Sequence, residues 1–348
     1  MQDLKNLLSQ RAALPNKSRM RLGTAVIRLV VQGLLITSVA IGPTLSSADE
    51  ARKLPTIGWC APVDSATDVP YQTAFRNGLR DLGYVDGENV RLIVRYANGD
   101  RTKFRANIRE LIALPVDILM TDAPAGVEAT KTIPMVSLTM SDPVKTGLVA
   151  SLARPGGNLT GLSAQSYDIW PKQLELAREL VPNLKRVSFL FDTSEEPHAL
   201  TYAHEFSELA RGTGITVRTL PIASLEDLRG ALKTVRKERP QVLIVWTSPL
   251  MVQHRRTIID SVAHRLPVIS DARLLGENGA VLTYSVDWLD MFRRGAPYID
   301  KILKGAKPGD LPVEQPNKFK LILNLRTAKA LGIKVPESIL ARADEIIR

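Results

Sequence analysis

Hydrophobic and polar positions follow a strand-then-helix pattern that repeats along most of the chain. Short apolar or alternating runs at 56–60 and 90–96 predict strands, and apolar residues recur at helical spacing over 71–83 between them. Further strands are predicted at 116–121, 134–139 and 159–163, with a helix over 104–112 and a short helical piece before 134. Alternating units of this kind build a parallel sheet that helices cover on both faces.

The same pattern restarts after Ser163 and predicts a second sheet. Pro171 is expected in the first turn of the next helix, where proline is tolerated, and Ser224 and Asp227 have the spacing of a capping box. The predicted elements are strands at 187–191, 215–220, 242–246, 268–270 and 280–283, and helices over 171–181, 200–210, 224–235 and 258–262. The chain is therefore predicted to form two doubly wound α/β lobes.

The C-terminal part departs from this alternation. A helix is predicted over 290–304, but 308–316 contains three prolines and no periodicity, which indicates an extended crossing between the two bodies. One further strand at 321–323, a helix over 326–331 and a terminal helix from Glu337 complete the prediction.

The first 48 residues have the order of a secretory signal peptide. A basic leader precedes an uncharged run of 14 residues at 29–42, and Ser46 and Ala48 are small residues at the −3 and −1 positions of a cleavage site. Spanning a bilayer takes about 20 residues, so a cleaved signal is favoured over an uncleaved anchor. A start at Met20 instead of Met1 gives a signal of ordinary length. We expect a periplasmic chain that begins at Asp49.

Composition restricts the class of protein. Six of the 46 basic residues and one of the 36 acidic residues lie in the leader, so the remainder carries a net charge of +5 with both signs interspersed. No basic stripe or reading motif is present, and nucleic-acid binding is not expected. Cys60 is the one cysteine. It lies in the first predicted strand and is expected to be a core hydrophobe, because the residues before it do not suit a lipid-attachment site.

The sequence carries no catalytic signature. It contains no G-x-S-x-G elbow, no G-x-x-x-x-G-K-[ST] loop and no G-x-G-x-x-G after a strand. Four scattered histidines and a single cysteine do not form a metal-ligand pattern. We therefore predict no enzyme activity, no cofactor and no metal site.

Polar side chains gather where the predicted strands end, which is where ligands bind in open α/β sheets. Each of them taken singly also fits a helix cap, so the prediction of a site for a small polar molecule depends on the set. Trp246 is the strongest single candidate, either stacking on a ligand or filling the upper core. The candidate ligand-binding residues are Asp64, Ser65, Thr67, Thr121, Asp122, Ser141, Asp142, Asp192, Ser194, Glu195, Trp246, Thr247, Asp271 and Tyr284.

These strand ends are rich in acids, and Arg273 is the one cation beside them. The composition predicts a solute with an amino group or another group rich in hydrogen-bond donors. A simple dicarboxylate as the tightest ligand would contradict this prediction.

Several sequence blocks, in order along nearly the whole mature chain, resemble one family. The blocks are 75–89 (FRNGLRDLGYVDGEN), Asp142-Pro143 with 147–152 (GLVASL), 154–158 (RPGGN) with Thr160-Gly161, 172–176 (KQLEL), 311–316 (LPVEQP), 328–332 (AKALG) and 341–345 (ARADE). They are similar to the TrpX-like group of substrate-binding proteins of bacterial ABC transporters, which have a type I periplasmic-binding fold. The chain departs from the family pattern in a shorter stretch between Thr121 and Pro134, and in Trp59-Cys60, where simpler residues are common.

The resemblance implies a non-catalytic, monomeric receptor that closes on a solute and docks on an ABC permease in the inner membrane. It implies one lobe of residues 53–163 plus 286–312 and another of 164–285 plus 313–348, joined by crossings near 164–167, 284–288 and 312–316. Two other functions stay open from the sequence. The same fold serves sensory modules that signal to a membrane receptor or kinase without transport, and an exported enzyme on a doubly wound sheet is the third alternative.

Overall fold

The structure is a computed structural model that describes residues 54–164, 166–194, 198–262 and 265–348, without the side chains of 166–168. The predicted signal peptide and the candidate Glu195 lie outside the described residues. None of the described helices has the length and apolarity that crossing a membrane requires.

The first lobe is built around a five-stranded sheet. Its elements are β1 (Thr56–Ala61), α1 (Ser65–Asp81), β2 (Arg91–Tyr96), α2 (Arg101–Ala113), β3 (Ile118–Met120), α3 (Ala123–Ala129), β4 (Met135–Met140) and β5 (Leu159–Ser163). The strand order is β2-β1-β3-β4-β5, and every pair is parallel. All six residues of β1 are buried, as expected for a central parallel strand covered on both faces.

The second lobe is built around a seven-stranded sheet. The chain continues through α4 (Ser166–Leu180), β6 (Arg186–Asp192), α5 (Ala199–Gly212), β7 (Thr216–Ile222), α6 (Leu225–Glu238), β8 (Val242–Val245), α7 (Pro249–Gln253), α8 (Arg255–Val262), β9 (Val268–Ser270), α9 (Arg273–Asn278), β10 (Leu282–Val286), α10 (Trp288–Leu303), β11 (Phe319–Asn324), α11 (Leu325–Ala330), α12 (Glu337–Arg342) and β12 (Glu345–Ile347). The strand order is β12-β11-β10-β9-β8-β6-β7. The predicted architecture of two α/β lobes is confirmed.

The chain passes between the lobes three times. After β5 it enters α4, which packs against β9 and β10 of the second sheet. After β10 it returns as α10, which packs against α1, β4 and β5 of the first lobe. A 3-10 turn at Pro308–Asp310 and a bridge between Leu162 and Glu314 precede the last crossing into β11.

Several sequence predictions are corrected. β11 runs antiparallel to β10 in a sheet that was expected to be parallel throughout, and β12 is an additional strand after the terminal helix. α1 begins at Ser65, six residues before the predicted start, because Asp64 caps it. Pro171 is the sixth residue of α4, past the first turn, because that helix begins at Ser166.

Two local predictions are confirmed. The Ser224 hydroxyl accepts a hydrogen bond from the Asp227 amide at 3.1 Å, and the Asp227 carboxylate accepts in return from the Ala223 amide at 3.1 Å and from the Ser224 hydroxyl at 2.8 Å, which caps α6 in the manner of a capping box. Cys60 is 1% exposed, as expected for a core residue. Its thiol lies 3.6 Å from the carbonyl oxygen of Phe104.

Candidate functional site

A cavity of about 320 Å³ lies between the two sheets, at the carboxyl ends of their strands. The first lobe contributes residues at or after the ends of β1, β3 and β4, and the second contributes residues at or after the ends of β6, β8 and β9. A ligand in this space contacts both lobes at once. This is the place where open α/β sheets bind ligands.

The first turns of α1 form one wall of the cavity. The Asp64 carboxylate accepts hydrogen bonds from the amide of Thr67 at 3.0 Å and from its hydroxyl at 2.9 Å, so Asp64 is committed to capping the helix. Thr67 and the next residue, Asp68, line the cavity. Asp68 is 3% exposed and accepts a hydrogen bond from Nε2 of Gln72 at 2.8 Å. Burial raises the pKa of Asp68 to about 6, because desolvation penalises the charged form.

Asp271, which follows β9, is the corresponding acid of the second lobe. Its Oδ1 accepts hydrogen bonds from the amide of Thr247 at 2.9 Å and from the Thr247 hydroxyl at 2.7 Å. Burial raises the pKa of Asp271 to about 6, although these hydrogen bonds act in the opposite direction. Asp192, the last residue of β6, lines the cavity and accepts a hydrogen bond from the amide of Ser194 at 2.7 Å.

Aromatic rings form much of the remaining wall. In the first lobe, Trp59 stacks on Phe292 of α10 with ring centroids 5.6 Å apart, and Phe292 lies 5.0 Å from the ring of Tyr71. Trp246 of the second lobe and Trp288 at the start of α10 also line the cavity. The Trp246 ring packs edge-on against buried Trp170 at 4.8 Å, which fixes its orientation. The site therefore combines apolar surfaces with a few buried polar groups, as small-molecule sites do.

The charged groups of the cavity are all of one sign. Asp68, Asp122, Asp192 and Asp271 line it, and no described lining residue is a lysine, arginine or histidine. Arg273, the cation expected near the strand ends, instead pairs with Glu277 at 2.7 Å and Glu345 at 2.5 Å.

The remaining chemical features among the described residues are potential metal ligands and the thiol of Cys60. The described residues contain no group of three or more His, Cys, Asp or Glu side chains that could hold a metal ion. Burial raises the pKa of the Cys60 thiol to about 12, so it is a neutral part of the wall at ordinary pH.

The structure brings eight of the predicted site residues together around the cavity. They are Thr67, Thr121, Asp122, Ser141, Asp192, Trp246, Thr247 and Asp271.

Five other predicted residues do not line the cavity. Asp64 caps α1, and Asp142 caps the following turn by accepting from the Lys145 amide at 3.1 Å. Ser65 is an exposed first residue of α1, and Ser194 uses its amide to bond Asp192. The ring of Tyr284 stacks on Phe319.

Sequence reasoning missed Asp68, Tyr71, Trp59, Trp288 and Phe292. The search covered only the loops directly after strands, whereas Asp68 and Tyr71 lie one and two turns into α1. Trp59 lies inside β1 and the other two lie on α10. Extending the search into the first two turns of each helix that follows a strand would have found Asp68.

Comparison with known proteins gives a consistent result. Residues 60–347 match the family model described as ABC transporter substrate binding protein. A tyrosine-binding protein of Clostridioides difficile is 26% identical over 324 residues, which cover 89% of this chain and 92% of that protein.

Two solved structures are especially informative. The ABC domain from Streptococcus pneumonia in complex with L-Trp is 28% identical, and its alignment covers 84% of this chain and 100% of that one with a TM-score of 0.77. The ligand-free, open structure of a substrate-binding protein with adhesive properties from Clostridium difficile is 25% identical, with coverage of 84% and 99% and a TM-score of 0.62.

Proposed function

Because the chain belongs to the family of ABC transporter substrate-binding proteins, we propose that it captures a small amine-bearing solute between its lobes and delivers it to the permease of an ABC importer. The observation that carries this proposal is the cavity that both lobes line at the carboxyl ends of their sheets. A solute there stabilises the closed arrangement through simultaneous contacts with the two lobes. The bound molecule leaves chemically unchanged.

The conformation of the chain supports this function. At equal coverage of this chain, the TM-score is 0.77 against the structure with bound L-Trp and 0.62 against the open, ligand-free structure. The chain therefore superposes better on the ligand-bound relative than on the open one. We interpret the cavity as the space that a solute occupies after closure.

The division of the chain into lobes is part of the proposal. We assign 53–163 plus 286–312 to one lobe and 164–285 plus 313–348 to the other, because α10 packs on α1 while α4 packs on β9 and β10. The three crossings between them would form the hinge. Closure then needs only small backbone changes in these crossings, with each sheet moving as a rigid body.

We propose that the protein works outside the cytoplasm, in the periplasm, as a monomer. This location is supported by the family and by the basic, apolar and small-residue order of the first 48 residues. N-terminal sequencing of the exported protein should find Asp49 first. A mature protein that still carries residues 29–42 would contradict the cleavage.

The capture function is tested by native mass spectrometry of protein purified without denaturation from the full-length gene. We expect one bound small molecule per chain, which is recovered unchanged after denaturation and increases in abundance with its concentration in the medium. Small-angle scattering should show a larger radius of gyration once the molecule has been removed. A chain with no bound molecule and no change in radius across a panel of amines and amino acids would contradict capture.

Delivery is tested separately by crosslinking in membranes. Co-purification with a permease and its ATPase, enhanced by the solute, is the expected result. Co-purification with a membrane kinase or chemoreceptor instead would contradict delivery and leave capture intact.

A further inference from the structure

We propose that the solute is an organic cation with an apolar, ring-containing body and no free carboxylate, and that its ammonium group binds between Asp68 of the first lobe and Asp271 of the second. This inference rests on the proposed function and narrows the substrate class of the same cavity.

Asp68 and Asp271 are buried, and only one oxygen of each carboxylate accepts a hydrogen bond from a described side chain. Gln72 donates to Oδ2 of Asp68, and Thr247 donates twice to Oδ1 of Asp271. No described side chain donates a hydrogen bond to the other oxygen of either carboxylate. Asp68 is 3% exposed and Asp271 is 8% exposed, and both line the cavity. A buried carboxylate with an unused oxygen favours a charged donor, because an unpaired buried charge is costly.

Asp68 and Asp271 face the same cavity from different lobes. Asp68 lies one turn into α1, Asp271 directly precedes the N-cap residue of α9, and both line the cavity. A single ammonium group has three donors, enough to reach acceptors on both sides.

The described lining of the cavity offers no cationic partner for a free carboxylate. None of its described lining residues is cationic, and four are aspartates. Helix starts can also bind anions, and acids already cap the two long helices whose first turns reach the cavity. Asp64 accepts from the Thr67 amide at 3.0 Å in α1, and Asp287 accepts from the Asp290 amide at 3.2 Å in α10. The short helices α3 and α9 begin at the cavity without a side-chain cap, so their amides are neutral donors there. A carboxylate on the ligand would lose its hydration and face charges of its own sign.

The rings of the wall favour the same class of ligand. Trp59, Tyr71 and Phe292 form a connected surface in the first lobe, and Trp246 faces the cavity from the second. Aromatic faces attract cations and bury apolar surface. The cavity of about 320 Å³ is at the small end of ligand sites, which span roughly 300–1,000 Å³. It suits one ring system with a short aminoalkyl chain.

Three probes with the same indole ring show separately how an ammonium group and a carboxylate group on the ligand affect its affinity. Calorimetric titration at pH 7.5 with tryptamine, L-tryptophan and indole-3-propionate compares the amine alone, the amine with a carboxylate, and the carboxylate alone. We expect tryptamine to bind at least about tenfold more tightly than L-tryptophan, because only L-tryptophan must bury a carboxylate without a cationic partner. Indole-3-propionate should show no binding. L-Tryptophan binding as tightly as tryptamine, or more tightly, would overturn the inference.

Two variants assign the ammonium site. Asp68→Asn and Asp271→Asn should each weaken tryptamine binding about tenfold or more, because they remove charge-assisted hydrogen bonds but keep the shape of the side chain. Glu277→Gln is the matched control: this acid lies close by on α9 but does not line the cavity. We expect it to change the affinity less than about twofold, since a surface pair contributes little. Equal weakening by all three variants would contradict a specific site.

Failure of the inference differs from failure of capture. If L-tryptophan binds tightly and closes the lobes, the inference that the solute is a cation without a carboxylate is wrong, whereas the proposed capture is supported. Absence of binding by all three probes would also overturn the inference, and the native mass spectrum then decides capture independently. Thermal unfolding of each variant at pH 7.5 verifies that a weakened affinity does not result from misfolding.

Discussion

At the scale of single residues, the ionised carboxylates of Asp68 and Asp271 lower the free energy of unfolding. Burial raises the pKa of each from 3.8 to about 6, so the folded state binds protons more tightly than the unfolded state. The free energy of unfolding therefore falls as the pH rises through the window between these values. Above that window each acid costs about 3 kcal/mol, given about 1.4 kcal/mol for each pKa unit. Such a cost at a cleft is typical of groups kept for binding.

This cost can be measured in the ligand-free protein. At pH 7.5, Asp271→Asn should raise the free energy of unfolding by roughly 1–3 kcal/mol, because the neutral amide needs no compensation for a buried charge. At pH 4.5 the native carboxyl is already protonated, so the variant and the native protein should unfold at nearly the same temperature. Thermal unfolding at the two pH values provides the measurement. A variant less stable than the native protein at pH 7.5 would contradict the prediction.

At the scale of elements, the packing of α10 on α1 ties a helix from late in the chain to the first lobe. Gly78 of α1 lies against the backbone of α10, where an added Cβ would be 2.5 Å from the carbonyl oxygen of Arg293 and 3.0 Å from Cβ of Ala296. The close approach of these two helices therefore depends on a residue without a side chain.

A pair of glycine substitutions tests this packing. Gly78→Ala should lower the free energy of unfolding by about 1–3 kcal/mol, because the added methyl group forces the helices apart. Gly230→Ala in α6 is the control: nothing lies within 4 Å of the added Cβ, so the higher helix propensity of alanine should stabilise the protein by about 0.5–1 kcal/mol. Urea unfolding measures both values. Stabilisation by both substitutions would show that α1 and α10 can separate without cost.

The main elements could be predicted from the sequence because central parallel strands are continuous apolar runs and longer helices repeat their stripe several times. The missed elements lack those signals. α7 has five residues and α9 has six, too few for a helical period to be visible. The direction of β11 could not be predicted from the sequence either. Its antiparallel pairing with β10 is set by the path of the last crossing and not by the residues of the strand.

The candidate site was predictable only in part, for a related reason. Thr121 and Asp271 directly follow strands and Asp192 is the last residue of one, so the rule for open sheets locates them without coordinates. Whether a polar residue caps a helix or faces the cavity depends on its side-chain rotamer and on the residue at which the helix begins. Asp64 and Asp68 are only four residues apart, yet one caps α1 and the other lines the cavity.

At the scale of the whole molecule, Lys145 makes contacts between the two lobes. Nζ of Lys145, in the loop after β4, lies 3.2 Å from Oε1 of Glu205 on α5 of the second lobe. The same ammonium group lies 4.2 Å from the ring centroid of Tyr202. If the lobes separate, these contacts break while the core of each lobe is unchanged. They therefore act on the equilibrium between closed and open arrangements and not on unfolding.

Lys145→Ala should shift this equilibrium towards the open arrangement. The side chains of Lys145 and Glu205 are 43% and 55% exposed, so the ion pair contributes less than about 1 kcal/mol. The contact with Tyr202 adds about 0.5–1 kcal/mol. Together they predict an affinity for the retained solute that is about fivefold weaker through faster dissociation, and a larger radius of gyration in the ligand-free protein.

A second lysine provides the control for this shift. Lys172 pairs with Glu175 at 2.8 Å within α4, inside one lobe, so Lys172→Ala removes a comparable ion pair without touching the contact between lobes. It should leave both the affinity and the radius of gyration unchanged. The double charge reversal Lys145→Glu with Glu205→Lys should recover part of the lost affinity, since it restores the pair with the opposite orientation. Equal effects of Lys145→Ala and Lys172→Ala would mean that closure depends on the solute and the hinge alone.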